Sequence, residues 1–235
     1  MNIEQAIEGT TAVVLGGTGH VGWGVAKALL ARGVKVIAPT RAADSLEPLA
    51  ASLGGHPRLH LVVGDMSTLD GARDLTARVA RDHGPVDHVV ASMGPWWQKG
   101  RIIDQPEPEY RAVMRASLDC HVFAAQAFLP SLVAREGATY TIITGAGALM
   151  SLPDTGLLVV ALSGLLGLSR MLRAEHAGDA VRVNEVMIAT RVERAPRQGV
   201  VPAEDFGVAM GRLLQSGVRG QQLEFRTLER FGLSG

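Results

Sequence analysis

Three groups of residues in this chain have types and spacings that could do chemistry. The first is a glycine turn. Gly16, Gly19 and Gly22 are spaced G-x-x-G-x-x-G, with Thr18, His20 and Val21 between them. Glycines at this spacing allow a tight turn, let a pyrophosphate approach the backbone, and pack a helix closely on a strand. The helix start that follows offers free N–H groups and the positive end of its dipole to phosphate. The second is Arg41. A carboxylate at the end of the second strand would hold an adenosine ribose 2′-hydroxyl, whereas an arginine there accommodates a 2′-phosphate. The stretch Pro39-Thr40-Arg41 has no acid before Asp44. Arg41 can present a forked, charge-assisted pair of hydrogen bonds, and His20 offers a second donor. The expected cofactor is therefore NADP(H). The third group is spread over the middle of the chain. Ser117 and His121 stand one helical turn apart, and Thr144 ends an apolar run. Trp96 and Trp97 are adjacent on a loop, where one of them either walls a ligand pocket or lids the core. No metal-ligand spacing is present.

The elements that must position these groups alternate regularly. Stretches at 12–15, 34–39, 59–65, 86–92, 139–144, 180–187 and 221–225 read as strands. Stretches at 23–33, 44–53, 68–83, 108–135, 156–177 and 203–215 read as helices. Strand–helix alternation with short loops predicts a doubly wound α/β domain, a parallel sheet of about seven strands with helices on both faces. The 235 residues hold no repeat, linker or low-complexity tract, so a single domain over 1–235 is expected. A formal net charge of zero favours neither nucleic acid nor an anionic membrane as partner. The longest apolar run, 157–168, is broken by Ser163 and Gly164 and reads as too short for a bilayer. The single cysteine, Cys120, excludes an internal disulfide and reads as a small buried hydrophobe. Residues 1–10 are polar, with no apolar signal core, and a cytoplasmic location is expected.

In order along the chain, these landmarks resemble the short-chain dehydrogenase/reductase family over nearly the full length. Gly64-Asp65-Met66 matches the end of the family's third strand, which places Asp65 at the adenine ring. Ala91-Ser92-Met93-Gly94 stands where the family carries Asn-Asn-Ala-Gly. Phe128-Leu129-Pro130, Gly167 through Glu175, Val181-Arg182-Val183-Asn184 and Gly220-Gln221 match further family signatures. The resemblance implies a Rossmann-type fold, a pyridine-dinucleotide cofactor and hydride transfer. It also implies a dimer or tetramer built on helices 108–135 and 156–177, the second of them rich in leucine and valine.

The family's usual proton machinery is missing. On its spacing the tyrosine position is Leu158, the lysine position Leu162, the asparagine position Ser117 and the serine position Thr144. No tyrosine follows Tyr140 and no lysine follows Lys99, so no shift of register restores the pair. A phenol with a pKa near 10 is a poor base at neutral pH without a neighbouring cation. The family's Pro-Gly after the sixth strand is Ile188-Ala189, and 190–202 is a short substrate lid. Three functions fit this pattern. The first is a divergent NADP(H)-dependent oxidoreductase on a small molecule, with Thr144 polarising the substrate and Ser117 or His121 assisting. The second is a non-catalytic NADP(H)-binding regulator resembling the nitrogen-metabolite-repression proteins. The third is a non-redox enzyme on the same scaffold, as halohydrin dehalogenases are.

Overall fold

A computed structural model describes residues 6–195 and 197–233, so the polar N-terminal stretch lies partly outside the described residues. The strands of the central sheet are β1 (Thr11–Leu15), β2 (Lys35–Thr40), β3 (Leu59–Val63), β4 (His88–Ala91), β5 (Thr139–Gly145), β6 (Arg182–Ile188) and, after two short strands β7 (Val192–Glu193) and β8 (Val201–Pro202), β9 (Gln222–Phe225). All seven run parallel, in the order β3-β2-β1-β4-β5-β6-β9. The helices are α1 (His20–Leu30), α2 (Leu46–Ser52), α3 (Leu69–His83), α4 (Glu107–Met114), α5 (Cys120–Leu132), α6 (Gly156–Glu175) and α7 (Ala203–Gln215). A doubly wound, single-domain α/β fold is what the alternation predicted. The two-residue strands β7 and β8 pair in parallel with each other and carry the short segment after β6.

Side-chain alternation along the strands builds two cores. Ala12, Val14, Val36, Val90, Val186 and Phe225 face α1 and α7, while Val13, Ile37, Val89, Tyr140, Ile142 and Val183 face α3, α5 and α6. Helices α1 and α7 touch backbone to backbone. A Cβ on Gly24 would lie 1.9 Å from Ala203 O, and one on Gly207 would lie 2.0 Å from Gly24 O.

The stretch read as one helix over 108–135 is interrupted. Residues Arg115–Asp119 form a π-helical turn between α4 and α5, in which the Cys120 N–H reaches back to Arg115 O. Such widened turns concentrate at functional sites. Helix α6 runs longer than the apolar run noted in the sequence, and by length and composition it would reach across a bilayer. Here Leu157, Leu158, Ala161, Leu165, Ser169 and Leu172 seat one face of it on the protein. Val160 and Met171 are left about half exposed on the other.

Candidate functional site

Strand order reverses between β1 and β4, where open α/β sheets leave a crevice at the carboxyl ends of their strands. A cleft of about 400 Å³ lies there. Its floor is the glycine turn. Gly16 has φ +83°, and a Cβ on it would stand 1.9 Å from Ser92 O; a Cβ on Gly22 would stand 2.4 Å from Gly16 O. Both positions therefore require glycine, one for its backbone angle and both for space. Gly19 caps α1 with no side-chain bond, which leaves the N–H groups of the first turn for an anion. Thr18 and Gly19 line the cleft, and Val21 packs partly buried against the core behind it. This cradle fits the phosphates of a pyridine dinucleotide.

One wall carries the groups that would meet the adenosine end. Arg41 lines the cleft beside Thr40, Ser45, Met66 and Ser67. Asp65 is exposed and turned back on its own loop, where its carboxylate accepts the Ser67 N–H at 2.9 Å and the Ser67 hydroxyl at 2.8 Å. Partial burial pushes the Asp65 carboxyl up, but those two bonds and the charges of Arg41 and Arg115 outweigh it and hold it below the ordinary range. Arg115, at the start of the π turn, also lines this cleft. Its position on the helix two residues before Ser117 was the only sequence signal that could have found it.

His20 is engaged from one side and keeps its Nε2–H as a donor on an exposed ring. Its Nδ1 accepts the Arg194 N–H at 3.1 Å, and it is absent from the cleft lining. Arg194 also sends its guanidinium to Thr18 O at 2.7 Å and lies 5.2 Å over the Trp23 ring. The segment after β6 is thereby fastened to the glycine turn. Nothing in the local sequence around Arg194 signals this contact across 176 positions.

Ser92, Met93 and Gly94 follow β4 and form the middle of the cleft. Behind them, Ser117 and His121 are 1% exposed. His121 Nε2–H donates to Met93 O at 3.1 Å, so its Nδ1 carries the lone pair. Burial holds the imidazole down to about 4, against a smaller upward pull from the Met93 carbonyl. A Cβ on Gly94 would lie 3.3 Å from Ser117 Oγ, so this hydroxyl sits directly beneath the Gly94 backbone. Neither Ser117 Oγ nor His121 Nδ1 has a partner among the described residues.

At the far end, the structure corrects the reading of Thr144. Its side chain faces α6, is 4% exposed, and donates its proton to Glu185 Oε1 at 2.7 Å. Glu185 is fully buried and also accepts from Ser169, Gln222 and Arg173. Because neighbouring residues on a strand point to opposite faces, the residue aimed away from this cluster at the strand's end is Gly145, which has no side chain. Leu162 Cδ1 lies 3.9 Å from where a Cβ on Gly145 would be and 3.6 Å from one on Gly147. Leu158 is buried with Trp97, Val113, Met114, Leu157 and Ala161. Trp97 donates to Glu109 Oε1 at 2.5 Å, an oxygen that also accepts from Lys99 at 2.7 Å. Trp97 is thus an interior residue, and Trp96 is 65% exposed. Neither lines the cleft.

Residues 18–206 match the family described as enoyl-(acyl carrier protein) reductase. The chain is 29% identical over 215 residues to short-chain dehydrogenase/reductase iacG of Pestalotiopsis fici, covering 87% of this chain and 86% of that protein. It is 28% identical to dehydrogenase/reductase SDR family member 4 of Sus scrofa over 77% of this chain, and spans only 65% of that relative's length. Among solved structures, the NADP complex of Pseudomonas aeruginosa RhlG superposes with a TM-score of 0.83 at 21% identity, over 96% of this chain and 98% of that one. An alcohol dehydrogenase of Thermococcus sibiricus in complex with 5-hydroxy-NADP superposes with a TM-score of 0.81 at 23% identity, over 96% and 99%. The glycine cradle, the parallel sheet reversing above it and the match across most of the length agree, and the chain belongs to the short-chain dehydrogenase/reductase family.

Proposed function

We propose that the cleft binds NADP(H) and that the protein is a divergent oxidoreductase acting on an activated, conjugated double bond. The observation that carries this reading is a complete phosphate cradle beside a wall without an acid. Gly16, Gly19, Gly22 and Arg41 are arranged for a phosphorylated dinucleotide, while Leu158 and Leu162 occupy the positions where the family's spacing puts tyrosine and lysine, and the hydroxyl of Thr144, at the serine position, is taken by Glu185. NADP(H), when bound, supplies hydride. The chain's own residues bind it through the glycine turn and keep water from the apolar wall. A ketone accepts hydride readily only if its oxygen receives a proton, and a proton donor there typically contributes about 10²–10⁴-fold. An activated alkene spreads the incoming charge over its own conjugated group and needs less help from the protein. The family description, an enoyl reductase, and the named NADP complexes of RhlG and the Thermococcus enzyme support this reading.

One observation favours a second reading, a binding protein that responds to NADP(H) without turnover. No residue of β5 or α6 lines the cleft, and Trp97 packs on Leu157 and Leu158 beyond it. The test is NADPH consumption against ketones, aldehydes and conjugated enones or enoyl thioesters, with NADPH binding measured in parallel. Turnover confined to conjugated alkenes supports the oxidoreductase. Saturable binding with no turnover on any substrate favours the binding protein, and robust ketone reduction overturns both.

A further inference from the structure

Arg41 and Arg115 reach one cleft from two walls. Arg41 follows the last residue of β2, and Arg115 opens the π turn between α4 and α5. Both side chains are exposed and both line the cavity. Among the described residues, neither guanidinium makes an ion pair or a side-chain hydrogen bond, although neighbouring arginines do. Arg101 pairs with Asp104, and Arg111, one turn before Arg115, pairs with Glu107. Arg115 has a similar opportunity in Asp119, four residues on, at a spacing that pairs oppositely charged side chains on a regular helix. The widened turn over Arg115–Asp119 changes that spacing, and Arg115 is left to the cleft.

Both positive charges are felt at the Asp65 carboxylate at the end of β3, and that of Arg41 also at Cys120 on the facing helix. Asp65 brings one negative charge against two guanidiniums, and its oxygens are turned to Ser67 with no ion pair to either arginine among the described residues. The corner bounded by Arg41, Arg115, Ser45 and Ser67 therefore keeps an excess of positive charge. Two like charges held toward one cavity repel each other unless an anion lies between them, and a planar guanidinium suits the oxygens of a phosphate.

We infer that Arg115 closes a two-sided clamp with Arg41 on the phosphate monoester of the adenosine ribose, so that residues from two separate elements set the preference for the phosphorylated dinucleotide. This inference rests on the NADP(H) reading above and assigns its selectivity to a residue outside the β2 end.

The experiment titrates NADPH, NADH and adenosine 2′,5′-bisphosphate against wild type, Arg41→Ala, Arg115→Ala, Arg115→Lys and the double alanine variant, with thermal unfolding as a check on folding. Loss of one charge-assisted contact should weaken NADPH and the bisphosphate by roughly ten- to a hundredfold in Arg115→Ala, and leave NADH unchanged. Arg115→Lys should recover part of the affinity, and the double variant should bind NADPH and NADH equally. A wild type that prefers NADPH, with Arg115→Ala and Arg115→Lys both unaffected, overturns the clamp and leaves the NADP(H) reading standing. Equal losses of NADPH and NADH affinity in both Arg115 variants also overturn it, since they indicate a role at the adenine or in the fold. A wild type with no preference for NADPH overturns the NADP(H) reading and the clamp together.

Discussion

Replacing Thr144 with valine separates a structural hydroxyl from a catalytic one. Valine keeps the shape of threonine and removes only the O–H. In the native protein that O–H lies 2.7 Å from Glu185 Oε1, and the same oxygen also accepts Gln222 Nε2 at 3.0 Å. The other oxygen accepts Ser169 Oγ at 2.8 Å and Arg173 Nη2 at 3.5 Å. A hydrogen bond to a charged group contributes about 1.5–3 kcal/mol. Gln222 and Ser169 remain in the variant and the new methyl fills the space, so the loss should fall at the low end, about 1–2 kcal/mol. For a chain of this size that lowers Tm by roughly 2–8 °C. Glu185→Leu should cost more, about 3–5 kcal/mol, because Arg173 and three polar side chains lose their common partner. Thermal and urea unfolding read the stability, and NADPH titration with the alkene assay reads the site. The expected outcome for Thr144→Val is a less stable protein with unchanged NADPH affinity and turnover. Unchanged stability with lost turnover would refute the reasoning and return Thr144 to the substrate.

The two buried histidines predict an acid-sensitive fold. Burial holds both His88 and His121 down to about 4, against 6.5 in the unfolded chain, so the unfolded state binds more protons between those values and stability falls as pH drops through that window. Each histidine should add about 1.4 kcal/mol per pH unit to the slope of the unfolding free energy there, and His88→Gln should remove one such contribution. Gly22→Ala should abolish NADPH binding, because its Cβ would stand 2.4 Å from Gly16 O and 2.7 Å from Gly16 C, where only backbone can give way. Calorimetric titration of a variant that still melts cooperatively checks it. The exposed face of α6, with Val160 and Met171 about half exposed, is proposed to pair with a second copy in a dimer or tetramer. Sedimentation should show an assembly at micromolar concentration that Val160→Glu dissociates.

The fold was legible because strand and helix periods are local properties. Buried parallel strands read as apolar runs, Ala12–Leu15 throughout and β4 over Val89–Ala91, and the glycines at 16, 19 and 22 fix the turn between the first strand and helix. The cleft's floor was legible for the same reason. Side-chain direction was harder to read. On β5 a shift of one residue separates Thr144, turned to Glu185, from Gly145 at the strand's end, and family spacing alone does not resolve a step of one. The Trp96-Trp97 pair shows the same limit, since one indole is in the interior and its neighbour is in solvent. The contact of His20 with Arg194 was not legible, because the two lie 174 positions apart and meet only through the fold. Arg115 was missed because the sequence pattern reads as one regular helix, in which Asp119 would pair with it. The π turn that frees it leaves no periodicity of its own.

The account turns on which groups stand at the reacting end of the cofactor, so the most direct measurement is a crystal structure of the protein with NADP⁺ and an unreactive substrate analogue. The account predicts the phosphates on the N–H groups of the glycine turn and the nicotinamide C4 facing Leu158, Leu162 and the Gly145 backbone. It predicts no side-chain O–H or N–H within hydrogen-bonding reach of the analogue's oxygen. A histidine, serine or threonine side chain pointing at that position, or a nicotinamide bound elsewhere, would contradict it.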